Sequence, residues 1–461
     1  MMLQFLSSAL GWPPILAETI EIIESPEAST LILVSVLLGL VVVYLASKLG
    51  GELCVRVNLP PVLGELLGGV LVGTSVLRLL VFPSSGAGAE DVVLLNFLQQ
   101  ISGAPDNWMP TIFATQSEVI SVLSEIGVII LLFEIGLESN LDELLKVGTK
   151  AAIVAVVGVA APFAAGTLGL IYLFHIATIP AVFAGAALTA TSIGITAKVL
   201  SELGRLNSPE GQIIIGAAII DDILGIIVLA VVSSLAKTGE IRPSNIVILI
   251  VSSTAFLVGA IFIGRWLNPF FVNLVSSMQT RGEVLVVALV AAILAGLIAQ
   301  FVRLEAILGA FAVGLILAET EKGEELKEQV KPLADVLVPI FFVVVGAKTD
   351  LSVLNPADPV NRAGLIIAGF LLVVAVLGKV ITGFSLVGSS TPLNRLAIGV
   401  GMIPRGEVGL VFAGVGASSG ILSESLNAGV IVMVIMTTFL APPLLRLAFR
   451  GEPTTAVEPG S

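Results

Sequence analysis

Apolar runs of about 20 residues, the length that crosses a bilayer as a helix, follow one another along almost the whole chain. Short stretches carrying most of the charge separate them. This pattern predicts thirteen spans, over 31–49, 61–82, 119–138, 150–175, 179–200, 211–236, 246–264, 284–301, 304–320, 333–348, 364–388, 395–417 and 426–448. VVLLNFLQQI, inside the long connection from Pro83 to Glu118, is too short to cross and predicts a helix lying on the outer surface. EKGEELKEQVK (321–331) mixes both signs of charge and predicts a solvated cytoplasmic loop.

Composition turns this pattern into a class. With 56% hydrophobic and 12% charged residues and a mean hydropathy of +1.08, the chain lies far outside the range of soluble domains. It reads as a polytopic membrane protein. Residues 1–30 lack a basic leading region, which argues against a secretory signal and for an interfacial N-terminal segment. One cysteine, Cys54, and one histidine, His175, exclude a disulfide framework and a Cys/His metal site. The net charge of -12 carries no basic patch, so no nucleic-acid partner is implied.

Basic residues set the expected orientation. With the N-terminus outside, the cytoplasmic segments hold fourteen Lys and Arg and the outer ones six, leaving Lys379 and Arg405 within spans. The C-terminus is then cytoplasmic. The tail 449–461 is too short for a soluble regulatory domain.

Charges left inside spans are functional candidates by default. Glu65, Glu125 and Glu134 lie near span ends or glycine-rich surfaces, where a structural or interfacial role is equally open. Asp221 and Asp222, in GAAIIDDILGIIVLA (216–230), lie near the middle of a span with no other charge from Gly211 to Ala236. Neighbouring helix positions differ by about 100° around the axis, so the two carboxylates need different partners. Lys379 is a candidate to neutralise one. The other, facing a cavity, would favour a proton or a small cation.

Two spans are interrupted by residues that break helices. GAALTATSIGIT (185–196) gathers small and hydroxyl residues with Gly194, and GMIPRGEVGL (401–410) gathers Pro404 with Gly401, Gly406 and Gly409. A shift of 215 residues lays Leu188–Gly194 over Ile403–Gly409. They are the fifth and twelfth predicted spans, an odd number apart, so they run in opposite directions. Interrupted spans in matching positions of inverted halves point to a transport site near the midplane.

The chain resembles the bacterial monovalent cation:proton antiporter-2 family, in the pattern of NapA-type sodium/proton antiporters. The resemblance rests on LPPVLGELLGGVLVG (59–73), LLFEIGLESNLDELLKVG (131–148), GAALTATSIGITAKVLSELG (185–204), the Asp221–Asp222 span, LGKVITG (377–383) and IPRGEVGLVFAG (403–414). It implies an all-α polytopic membrane protein of about 13 transmembrane helices, with inverted repeats and two crossed broken helices, the NapA/NhaA-like antiporter fold. By the same resemblance, 150–236 and 364–448 form an ion-transporting core, 31–138 and 284–348 a dimerisation scaffold, and 246–264 a linking helix. Asp222 matches the carboxylate that takes cation or proton, and Asp221 the neighbour that pairs with Lys379. Thr191 and Ser192 match the unwound stretch beside the ion, and Arg405 and Glu407 the charged pair at the second break. Kef-type potassium-efflux relatives lack the first aspartate and carry a C-terminal nucleotide-binding domain, so the NapA-like branch fits better.

The function expected is exchange of Na+, Li+ or K+ for H+ by alternating access, in a homodimer seated among lipids of a bacterial inner or internal membrane. Asp222, Thr191 and Ser192 supply hard oxygens for a monovalent cation. No GxxxxGK[ST] motif is present, so ion gradients supply the energy, and neither a resident cofactor nor enzymatic chemistry is expected. A K+/H+ antiporter and a sodium-coupled organic anion symporter of similar fold remain alternatives, and a channel would differ by lacking proton coupling. An intramembrane aspartyl protease needs facing carboxylates, which neighbours on one helix cannot supply.

Overall fold

The structure, a computed structural model, describes residues 25–83, 87–238, 243–357, 359–386, 392–406 and 419–450, together with Gly409, Phe412, Ala413, Val415 and Gly416. All regular structure among these residues is helical. The helices are α1 (Pro26–Arg56), α2 (Pro61–Val72), α3 (Val93–Ser102), α4 (Met109–Glu138), α5 (Leu141–Tyr172), α6 (Thr178–Ala186), α7 (Ile193–Glu202) and α8 (Pro209–Thr238). They continue with α9 (Pro243–Ser277), α10 (Glu283–Phe301), α11 (Ala306–Leu317), α12 (Gly323–Ala347), α13 (Pro359–Phe384), α14 (Arg395–Gly401) and α15 (Glu424–Ala448).

Nine helices among the described residues are long and apolar enough to cross a membrane. The other four predicted spans fall on the shorter apolar helices α2 and α11, on the pair α6 and α7, and on α14 with the residues after it. Helix length alone therefore does not establish a count of thirteen. Large apolar side chains such as Phe262, Trp266 and Phe301 are exposed, as an exterior solvated by hydrocarbon requires.

The chain forms two compact units. The smaller comprises residues up to Leu53, Gly64–Gly127 and Pro339–Asp350. Within it α3 is helical as predicted and seats Leu95 against Met109 and Ile112 of α4. Gln116 Nε2 donates to the Ser35 carbonyl at 3.0 Å. Glu65 accepts from the Ser47 hydroxyl at 3.1 Å, which gives this carboxylate a structural contact.

The larger unit comprises Cys54–Leu63, Val128–Val338 and the residues from Leu351 on. Its α5 starts where Asn140 accepts from the Glu143 amide at 3.1 Å and Asp142 and Glu143 oppose the helix dipole. Helices α5 and α8 pack together, as do α13 and α15, around Phe183, Leu371, Phe412 and Met433. A second core gathers Phe133 of α4, Phe271 of α9 and Leu317 of α11.

The segment 321–331 departs from the loop expected of it. From Gly323 it is the first part of α12, with Leu326 and Val330, four apart and so on one face, buried against that second core. The charges that suggested a loop occupy the other face, where Lys322 meets Glu325 at 2.7 Å and Lys327 meets Glu324 at 3.1 Å.

Candidate functional site

The first break lies between the end of α6 at Ala186 and the start of α7 at Ile193. Its hydroxyl side chains take over hydrogen bonds the helix gives up. Thr189 Oγ1 donates to the Ala186 carbonyl at 2.8 Å, and Ser192 stands at the N-cap of α7 in an extended conformation. The second break begins where α14, capped by Asn394, ends at Gly401. Three residues on comes Pro404, which has no N–H and disfavours helix in the residue before it.

The two breaks satisfy one another. The Ser192 amide donates to the Pro404 carbonyl at 2.8 Å. Thr191 Oγ1 donates to the Met402 carbonyl at 3.2 Å, and Thr196 Oγ1 to that of Gly401 at 2.9 Å. Backbone groups freed in a span find no water in hydrocarbon, so they must be met by protein. Both breaks belong to the larger unit.

Arg405 lies in the second break and is fully buried. Its Nη1 donates to the carbonyls of Thr189, at 3.3 Å, and Ala190, and lies 3.4 Å from Thr191 Oγ1. These carbonyls follow the C-terminal end of α6, where the helix dipole is negative, so the guanidinium answers both the unmet acceptors and the dipole. The Thr438 hydroxyl of α15 donates to the Arg405 carbonyl and anchors this backbone from the other side. Glu407, the other half of the predicted charged pair, lies outside the described residues.

Asp221 and Asp222 part company on α8, as their 100° offset demands. Asp221 meets Lys379 Nζ of α13 at 3.2 Å, with both side chains fully buried. Room for that ammonium comes from α5, since a Cβ on Gly158 would stand 3.2 Å from Lys379 Nζ. Asp222, also buried, lines a cavity with Thr191, Ser192, Ile193, Glu305, Ile307 and Gly406. The space open to water centres there is ≈ 10 Å³, about one water molecule. Gly406 keeps it open, because a Cβ there would come within 2.7 Å of Ser192 Oγ. Two carboxylates and two hydroxyls around one water-sized space form a set of hard oxygen donors, the kind that suits a small cation.

Residues 33–450 match the family described as sodium/hydrogen exchanger, transmembrane. The chain belongs to that family. It is thus a transport protein of the membrane. It is 65% identical over 438 residues to the high-affinity Na+/H+ antiporter NhaS3 of Synechocystis, across 95% of this chain and 94% of that one. It is 31% identical over 415 residues to the Na+/H+-K+ antiporter GerN of Bacillus cereus, across 89% and 95%. The structure of the sodium proton antiporter MjNhaP1 from Methanocaldococcus jannaschii matches 92% of this chain and 99% of that one, with a TM-score of 0.58 and 18% identity. That likeness places the fold among the antiporter folds.

Of the residues singled out from sequence, the structure brings Asp222, Thr191 and Ser192 to one cavity, with Asp221, Lys379 and Arg405 packed in the same unit. Glu125 is exposed and Glu134 half-buried on α4, and neither lines the cavity. Glu305 was not foreseen. It stands second in the predicted span 304–320, just after Leu304, where a charge reads as the polar end of an apolar run. The missed signal is the length of α11. Its 12 residues extend about 18 Å, well short of a bilayer core of about 30 Å, so a carboxylate before its first turn need not stand in bulk water.

Proposed function

We propose that the chain exchanges a monovalent cation, Na+ foremost, for protons by alternating access, with Asp222 as the carboxylate that carries either one. The observation that supports this most is the divergence of the two aspartates. One is neutralised by Lys379, while the other lines a cavity with Thr191 and Ser192 where two helix breaks meet. An ionised Asp222 opposes passage through an apolar barrier, and a proton or a cation removes that obstacle. Competition for one carboxylate then couples the two fluxes, and the high-affinity Na+/H+ relative at 65% identity favours sodium.

Lys379 adds the second part of the proposal. When cation occupies Asp222 and Asp221 draws away from Lys379, a buried ammonium is left without its counter-charge and releases a proton. Two protons then move for one cation, and the cycle carries charge. A K+-transporting variant of the same exchange is the second reading, favoured by the similarity to a Na+/H+-K+ antiporter. A water-sized cavity argues against an organic anion as cargo.

The moving core is proposed as 150–236 with 364–448. The scaffold, 31–138 with 284–348, is proposed to carry the homodimer contact, with the N-terminus outside and the C-terminus cytoplasmic. The deciding experiment is purified protein in liposomes with an internal pH-sensitive dye, to which Na+, Li+ and K+ are added in turn. Proton release on addition of Na+ is expected. No proton movement with any of the three would refute exchange.

A further inference from the structure

A cavity of ≈ 540 Å³ opens within the larger unit where the turn after α1, the residues after α7 and the end of α15 come together. Its size falls within the range of about 300–1,000 Å³ common to small-molecule sites. Arg205, Arg446 and Arg450 line it, and among the described residues no carboxylate does. That concentration of positive charge stands out in a chain of net charge -12.

The arginines are not equivalent. Arg205 is buried, and its Cζ stands 5.2 Å from the centroid of the Phe449 ring, itself part of the lining. The ring holds this guanidinium beside the cavity by a cation–π contact. Arg446 lies in the last turn of α15, where a cation also offsets the helix dipole. The dipole does not account for Arg205, which comes from a different element and converges on the same space. Arg446 and Arg450 line the same space, where like charges repel, and a shared anion relieves that.

The remaining lining is largely apolar, including Leu59, Leu447 and Phe449, and Leu447 is exposed. The ligand that fits joins an anionic head with several acceptor oxygens to hydrocarbon. We propose that this cavity binds a phosphate group, carried as the headgroup of an anionic phospholipid. Basic pockets at the ends of membrane helices recognise such headgroups by charge-assisted hydrogen bonds.

The test is the thermal unfolding midpoint of the purified full chain in detergent. Phosphatidylglycerol, phosphatidylcholine and inorganic phosphate are added separately. Phosphatidylglycerol is expected to raise the midpoint by several degrees over phosphatidylcholine, and the R446Q/R450Q variant to lose that difference. Equal protection by inorganic phosphate would overturn the lipid assignment in favour of a soluble phosphate. Equal protection by both lipids, or an undiminished difference in R446Q/R450Q, would overturn the site itself. Arg446 and Arg450 decide the matter because they are half-buried and exposed, whereas Arg205→Gln removes a buried stacked group on which folding also leans. The readout involves no cation flux, so it stands or falls independently of the exchange reading.

Discussion

The Ser192 amide donates to the Pro404 carbonyl at 2.8 Å, across 212 positions of sequence. Each residue sits where its own span has stopped being helical, and each supplies what the other's break leaves unmet. The site is therefore built from mutual dependence between two defects. Its side chains are held by backbone that neither segment could maintain alone in hydrocarbon.

Asp222→Asn is expected to abolish cation-dependent proton flux while leaving a folded protein, since the amide preserves shape but cannot alternate between charged and neutral forms. In the unaltered protein, competition for one carboxylate makes the apparent KM for Na+ rise as pH falls. The limiting slope for one competing proton is about tenfold per pH unit. Dye-loaded liposomes measure both, and flux retained in the purified variant would remove Asp222 from its role.

Thr191→Val keeps nearly the same volume but deletes the hydroxyl that lines the cavity and donates to Met402. The orphaned carbonyl costs about 1–3 kcal/mol, and apparent cation affinity should fall more than the unfolding midpoint suggests. An unchanged KM would exclude this hydroxyl from cation binding.

Lys379→Gln leaves Asp221 buried without its partner, a loss worth about 3–5 kcal/mol. The double variant Asp221→Asn/Lys379→Gln should recover part of that stability, because it removes both charges together. Transport is the sharper measurement. A voltage-sensitive exchanger should become electroneutral or inactive on losing the lysine, as read by currents on a solid-supported membrane. Transport indifferent to voltage in the unaltered protein would refute the two-proton cycle.

Arg405→Lys keeps the charge and loses Nη1. The contacts to Thr189, Ala190 and Thr191 all come from that one nitrogen at the far end of the guanidinium, which the compact ammonium of the shorter lysine does not reproduce. A destabilisation of about 3 kcal/mol or more is expected from two forfeited charge-assisted bonds. Thermal unfolding of the purified variant beside Asp222→Asn separates this structural loss from a purely catalytic one.

Glu305→Gln is expected to raise the KM for Na+ several-fold while sparing most of the maximal rate, because Glu305 shares the cavity but Asp222 remains to carry the ion. A complete loss of exchange would make Glu305 a second obligatory carboxylate. No change in KM would show that its charge does not reach the cation.

The apolar period, the two helix breaks and the adjacency of Asp221 and Asp222 could all be read from the chain itself, because each is a local property. A run of apolar residues has few alternatives to a membrane helix, and Pro404 or a cluster of hydroxyls weakens any helix that contains it. Even the parting of the two aspartates follows from helix geometry. Which of them would meet Lys379 came only by resemblance, since residues 158 positions apart share no local signal. Tertiary packing alone decided that Glu305 lines the cavity, that Leu326 and Val330 turn a charged stretch into buried helix, and that Arg205, set against Phe449, lines one cavity with Arg446. In each case the residue's role depends on what the fold brings against it. A charge at the end of an apolar run reads the same in sequence whether its neighbour is solvent or a buried carboxylate.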